Sequence, residues 1–157
     1  MRIGLRVSKA VILIVLIVLM AVVFSGPKES RETFETVLSK TQEGLDLSSM
    51  PGQDNQKIRE IFGLDPESFS AIAYFKIDDV MQANEYMLVQ FNDKSQSKAF
   101  EDAVQKRIDE QINLYEGYAP DEVQLLDDAI IDVQANYALY VVDDQAAQIH
   151  EQFLSSL

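Results

Sequence analysis

At 157 residues the chain has room for one domain and an anchor, and its 26 acidic against 13 basic residues leave a formal charge of −13. Cysteine and tryptophan are absent and histidine occurs once, as His150, which excludes disulfides, thiol nucleophiles, thiolate or His-rich metal sites and a lipid-modified cysteine. All 26 acidic residues lie beyond the first apolar run with only 10 basic ones, a charge of −16 there that repels nucleic acid and anionic lipid headgroups.

Residues 1–27 form the expected anchor. Ala10 to Phe24 is unbroken apolar sequence, and no charge falls between Lys9 and Lys28. Roughly 18 uncharged positions rising 1.5 Å each span about 27 Å, close to the hydrocarbon thickness of a bilayer, so residues 10–27 are expected to sit in lipid. Arg2, Arg6 and Lys9 on the short leading side hold that end in the cytoplasm and place the rest outside. A cleavable secretory signal, cut after Val23-Phe24-Ser25, is the rival reading. Phe24 beside that cut argues for retention, and so for a single-pass cell-membrane protein.

Residues 28–53 form the expected juxtamembrane helix and linker. Phe34, Val37 and Leu38 are spaced as on a helix, and Asp46 to Gln56 is loop-like around Pro51-Gly52. An extracytoplasmic α+β domain is expected over 54–157. It opens with a short amphipathic helix bearing Ile58, Ile61 and Phe62, closed by Gly63 and Asp65-Pro66. Ser70 to Ile77 and Glu85 to Asn92 alternate as strands of a hairpin. From about Lys94 to Glu116, Phe100, Val104, Ile108, Ile112 and Tyr115 make one apolar helical stripe. Asp93 and Gln96 have capping spacing, Gly117 ends the helix and Pro120 marks the stop. A second strand pair is expected over Ala129–Gln134 and Tyr137–Val142, followed by a helix from Asp143 carrying Ile149 and Phe153. The order α-β-β-α-β-β-α implies a mainly antiparallel four-stranded sheet with helices on one face.

Several local patterns occur together: Ile61-Phe62-Gly63-Leu64-Asp65 at a helix end, Asn84-Glu85-Tyr86 opening a strand, and Tyr115-Glu116-Gly117-Tyr118-Ala119-Pro120 closing the long helix. Asn136-Tyr137 opens the strand that ends in Val141-Val142. Over Gln56 to Phe153 the set is similar to the domain of unknown function 4358 family. The resemblance implies a Gram-positive, especially clostridial, cell-envelope protein and supplies no activity. The family often has Gly before the Asn-Tyr pair, where this chain has Ala135.

No nucleotide loop, Gly-x-Ser-x-Gly elbow or EF-hand spacing appears. The acidic pairs Asp78-Asp79, Asp127-Asp128 and Asp143-Asp144 do not alternate as calcium ligands do, and no metal site or cofactor is expected. Coincidental carboxylate pairs do not define a glycosidase. His150 is expected at the surface, and no residue is singled out as catalytic. Aromatic rings with one wet end suit a sugar, peptide or protein partner. Tyr115 and Tyr118, at a helix end, with Asn136 and Tyr137, at a strand start, are therefore the expected binding residues. The leading expectation is a non-enzymatic interaction module of the cell envelope with a membrane or envelope protein as partner. A carboxylate-dependent hydrolase or cation or small-ligand binder, and a self-assembling subunit, are the alternatives.

Overall fold

A computed structural model describes residues 12, 14–17, 29–45 and 47–157. Residues 12 and 14–17 are helical and exposed. The remainder of the expected span 10–27 lies outside the described residues. Among those that are described, no helix is long and apolar enough to cross a membrane.

Four antiparallel strands form the sheet: β1 (Ala71–Lys76), β2 (Glu85–Gln90), β3 (Ile130–Gln134) and β4 (Tyr137–Val142), in the spatial order β1-β2-β4-β3. Leu139 of β4 lies opposite Leu88 of β2 on one side and Asp132 of β3 on the other. The central strands β2 and β4 are buried along nearly their whole length. Their side chains alternate between two large apolar sets, not between apolar and polar, so both faces must be covered.

Helices do cover both faces, which corrects the expectation of one. On the first face, α2 (Asn55–Phe62), α3 (Gln96–Tyr115) and α4 (Pro120–Asp127) bring Ile58, Phe62, Phe100, Val104 and Leu126 onto Tyr74, Met87, Val89 and Tyr140. On the second, α1 (Phe34–Thr41) and α5 (Ala146–Ser156) bring Val37, Ile149 and Phe153 onto Tyr86, Leu88, Leu139 and Val141. The segment expected as a juxtamembrane helix thus contributes to the core, with Val37 and Thr41 fully buried. The core therefore begins well before residue 54.

Local chemistry explains the boundaries. Thr33 and Asp54 cap α1 and α2 by accepting from the amides of Thr36 and Lys57. Gly63 ends α2 at φ 66°. Before α3, Gln96 reaches back to accept from the Asp93 amide at 3.1 Å, as the spacing predicts. The Asp93 carboxylate accepts from the Ser95 amide at 2.7 Å and not from Gln96, so only half of the expected capping pair forms. Helix α4 is an addition to the expected order. Pro120, expected to mark the stop of α3, is also the first residue of a new helix with Asp121 and Glu122 in its first turn. The loop-like 51–53 segment lies along the outer edge of β1: Gly52 bridges to Phe75, and the Gln53 amide donates to the Tyr74 carbonyl at 2.7 Å. That cover blunts an otherwise open sheet edge.

The sheet has two distinct ends. Ser30, the β3–β4 turn and Leu157 meet at one, the base. The β1–β2 loop, residues 77–84, and the β4–α5 junction form the other, the tip. A six-residue strand separates them by about 20 Å.

Candidate functional site

The four residues expected to form one binding surface divide into two pairs. Tyr115 and Tyr118 lie at the tip with ring centroids 5.8 Å apart. Asn136 and Tyr137 lie at the base, and Tyr137 points to the opposite face of the sheet. There the Tyr137 hydroxyl donates to the Glu32 carbonyl at 2.9 Å, and Asn136 Oδ1 accepts from the Ser30 amide at 2.9 Å. This pair staples the start of the domain to the sheet. Burial, reinforced by the charges of Glu35 and Glu32, pushes the Tyr137 hydroxyl up to about 12.

At the tip the two tyrosines have different tasks. Tyr115 is buried and its hydroxyl is shared between the carbonyls of Val80, at 3.1 Å, and Gln82, at 2.9 Å. Two more contacts hold the same loop: Glu122 accepts from the Ala83 amide at 2.7 Å, and Asp79 accepts from the Met81 amide at 2.8 Å. The loop so braced leaves apolar side chains in solvent, with Val80 78% and Met81 53% exposed, and Tyr118, 52% exposed, stands at the same end through its contact with Tyr115. Asp78 and Asp79 of the loop and Glu116 and Asp121 on either side of Tyr118 in the chain are exposed as well. Apolar side chains on a braced loop with charged neighbours suit a docking surface.

The other side of the same loop borders a cavity of about 180 Å³. Leu45, Leu47, Met50, Ile77 and Ile149 supply its apolar wall, and Asn84, Asp143 and Gln145 its polar one. Asp143 is fixed by two donors, Asn84 Nδ2 at 2.9 Å and the Gln145 amide at 2.8 Å. Sequence reasoning missed this cavity because Leu45, Leu47 and Met50 fall in a segment without periodicity. Among the described residues, no cluster of metal-ligating side chains occurs.

A polar cluster lies buried under α3 on the first face. Glu85, 1% exposed, pairs with Arg107 through both Nε and Nη2, and accepts from Tyr140 at 3.2 Å and Gln111 at 3.4 Å. Burial opposes the charge of the Arg107 guanidinium, but the hydrogen-bonded Glu85 carboxylate overrides it and leaves Arg107 above its ordinary value. Burial and then the same carboxylate push the Tyr140 and Tyr74 hydroxyls far up. Neither Glu85 nor Arg107 reaches the tip cavity, so the pair fixes the register of α3 on the sheet. The sequence signal for it was present: Arg107 and Gln111 interrupt the apolar stripe of α3. His150, expected at the surface, is instead partly buried, with its side chain 29% exposed, and its Nε2 lies 2.6 Å from Asp132 Oδ2, tying α5 to the edge strand β3.

These features define a three-layer α+β domain with an apolar loop braced at one end of its sheet. The chain belongs to the family described as Domain of unknown function (DUF4358), whose model matches residues 43–143. The match holds the whole sheet and the three helices of the first face, while α1 and α5 flank it. No curated protein and no solved structure matches the chain.

Proposed function

We propose that this chain is a single-pass, membrane-anchored interaction module of the bacterial cell envelope, facing outward and capturing a protein partner at its tip. The observation that carries the reading is the exposure of Val80, Met81 and Tyr118 at the end of the sheet opposite Ser30. Residues 10–27 lead to Ser30, so anchoring them in lipid makes the base membrane-proximal and lifts the apolar loop away from the bilayer. Arg2, Arg6 and Lys9 support that orientation, since the positive flank stays in the cytoplasm. Tyr118 contacts the partner and Tyr115 holds the loop in shape. Asn136 and Tyr137 act at the other end, joining the anchor to the domain.

Crosslinking the full-length protein in living cells tests this. One reproducible crosslinked partner is expected, and Tyr118→Ala with Met81→Ala should reduce its yield severalfold, because exposed apolar residues in a rigid patch dominate such contacts. Surface substitutions of this kind leave folding nearly unchanged. Undiminished capture by the double variant would remove the tip from the function. Crosslinks confined to copies of this chain would favour self-assembly through the edge strand β3 instead.

A further inference from the structure

The geometry points to the tip cavity as a socket for one basic side chain, a lysine or an arginine, of the partner protein. The inference rests on the reading of the tip as a partner surface, and it names what that partner must present.

Size restricts the occupant first. A cavity of about 180 Å³ falls below the roughly 300–1,000 Å³ of cofactor and metabolite pockets. It suits one side chain. The lining then divides that side chain into two parts. Leu47, Met50, Ile77 and Ile149 offer an apolar wall for an aliphatic stem. Among the described lining residues Asp143 alone carries charge, so a charged group at the end of that stem meets an anion. A long apolar stem ending in a cation is a lysine or an arginine.

The carboxylate accepts either. Each Asp143 oxygen already accepts one bond, Oδ2 from Asn84 and Oδ1 from the Gln145 amide. Each keeps a second lone pair, enough for a lysine ammonium at one oxygen or an arginine fork across both. The surroundings agree in sign: Asp144 is adjacent, Asp78 and Asp79 are exposed on the shared loop, and the charge beyond the apolar run is −16, from 10 basic and 26 acidic residues. A basic partner is drawn to this tip and an acidic one is turned away.

The test uses the full-length protein in detergent micelles with labelled methionine methyls, and two probes, N-acetyl-lysine methylamide and N-acetyl-norleucine methylamide. The lysine probe should shift the Met50 methyl signal saturably and bind at least about tenfold tighter than norleucine, as expected for a hydrogen bond to a charged group. Asp143→Asn should erase that preference. Ser49→Phe, which puts a large ring at an exposed lining residue and keeps the Asp143 carboxylate, should abolish the Met50 shift.

Equal shifts by both probes, no shift by either, or an undiminished shift in Ser49→Phe would overturn the assignment. If partner crosslinking depends on Tyr118 and Met81 while the lysine probe fails to bind, the socket is wrong and the tip surface stands. If the probe binds but crosslinking ignores Tyr118 and Met81, both the tip surface and the partner's basic side chain are overturned. Self-association of the pure protein that disappears in Asp143→Asn would place a second copy's basic side chain in the socket and overturn the assignment to another protein.

Discussion

The two faces of the sheet are closed by different chemistry. Under α3 the first face buries a full ion pair, Glu85 with Arg107, wrapped by Tyr140 and Gln111. The second face, under α1 and α5, buries hydrocarbon and one hydroxyl pair, Thr41 Oγ1 with Tyr86 OH at 2.5 Å. An internal ion pair adds little net stability but penalises every arrangement that separates its members, so it specifies where α3 sits. Hydrocarbon is less particular. It rewards burial itself, and in this chain the second face is closed by α1 and α5, the two helices that flank the family-matched region 43–143.

This contrast can be broken most forcefully at the ion pair. Arg107→Met strands Glu85 in the core and should cost about 3–5 kcal/mol, read as a lowered urea midpoint. Adding Glu85→Leu should return part of the loss, because an apolar pair replaces an orphaned charge.

Next come two matched phenylalanines, Phe100 and Phe153, each fully buried on its own face. Either Phe→Ala change should cost about 3–4 kcal/mol. Hydrogen exchange sharpens the comparison. Phe100→Ala should raise opening throughout the sheet, while Phe153→Ala should first free α1 and α5. Uniform loosening in both would mean the faces are not separate units.

Thr41→Val leaves the Tyr86 hydroxyl buried without its partner and should cost about 1–2 kcal/mol. Alkaline pH tests the second face in a different way. Folding raises the Tyr137 hydroxyl from the usual 10 to about 12, so the neutral form is favoured in the fold. Its contribution is intact below pH 10 and is lost as pH rises towards 12. Denaturation midpoints measured across that window should fall, and less steeply in Tyr137→Phe.

The smallest effect is a gain. Ala135 sits at φ 55° in the β3–β4 turn, a left-handed conformation that a side chain resists. Ala135→Gly should stabilise by about 0.5–1 kcal/mol, visible as a higher melting temperature. The same geometry gives a physical reason for the glycine that the family resemblance leads one to expect before Asn136-Tyr137.

Much of the fold was legible in the sequence because it is written in short-range signals. Both hairpins, the apolar stripe of α3, the Gln96 half of its Asp93–Gln96 cap and the Gly63 stop follow from residues within a few positions of one another. What escaped was decided at long range. Tyr86 to Val89 alternates large apolar side chains, and nothing local shows that both sets meet helices. Pro120 has the same local preference at the end of one helix as at the start of another. At the candidate site, the pairing of Tyr115 with Tyr118 was readable from their spacing on one helix end. Placing Tyr137 beside them was not, because one residue's shift along a strand changes its face and a strand's length changes its end. The Met50–Asp143 socket joins segments more than ninety positions apart, beyond any periodicity.

The staple at Ser30 carries a last consequence. With residues 10–27 in lipid as proposed, the domain is already pinned to Asn136 at Ser30, three positions later, a tether that reaches at most about 10 Å. A leash that short confines the socket to a thin shell above the bilayer. Partners held in the same membrane at the right height then meet it at a high local concentration, while those that stand lower or drift free are left out of reach.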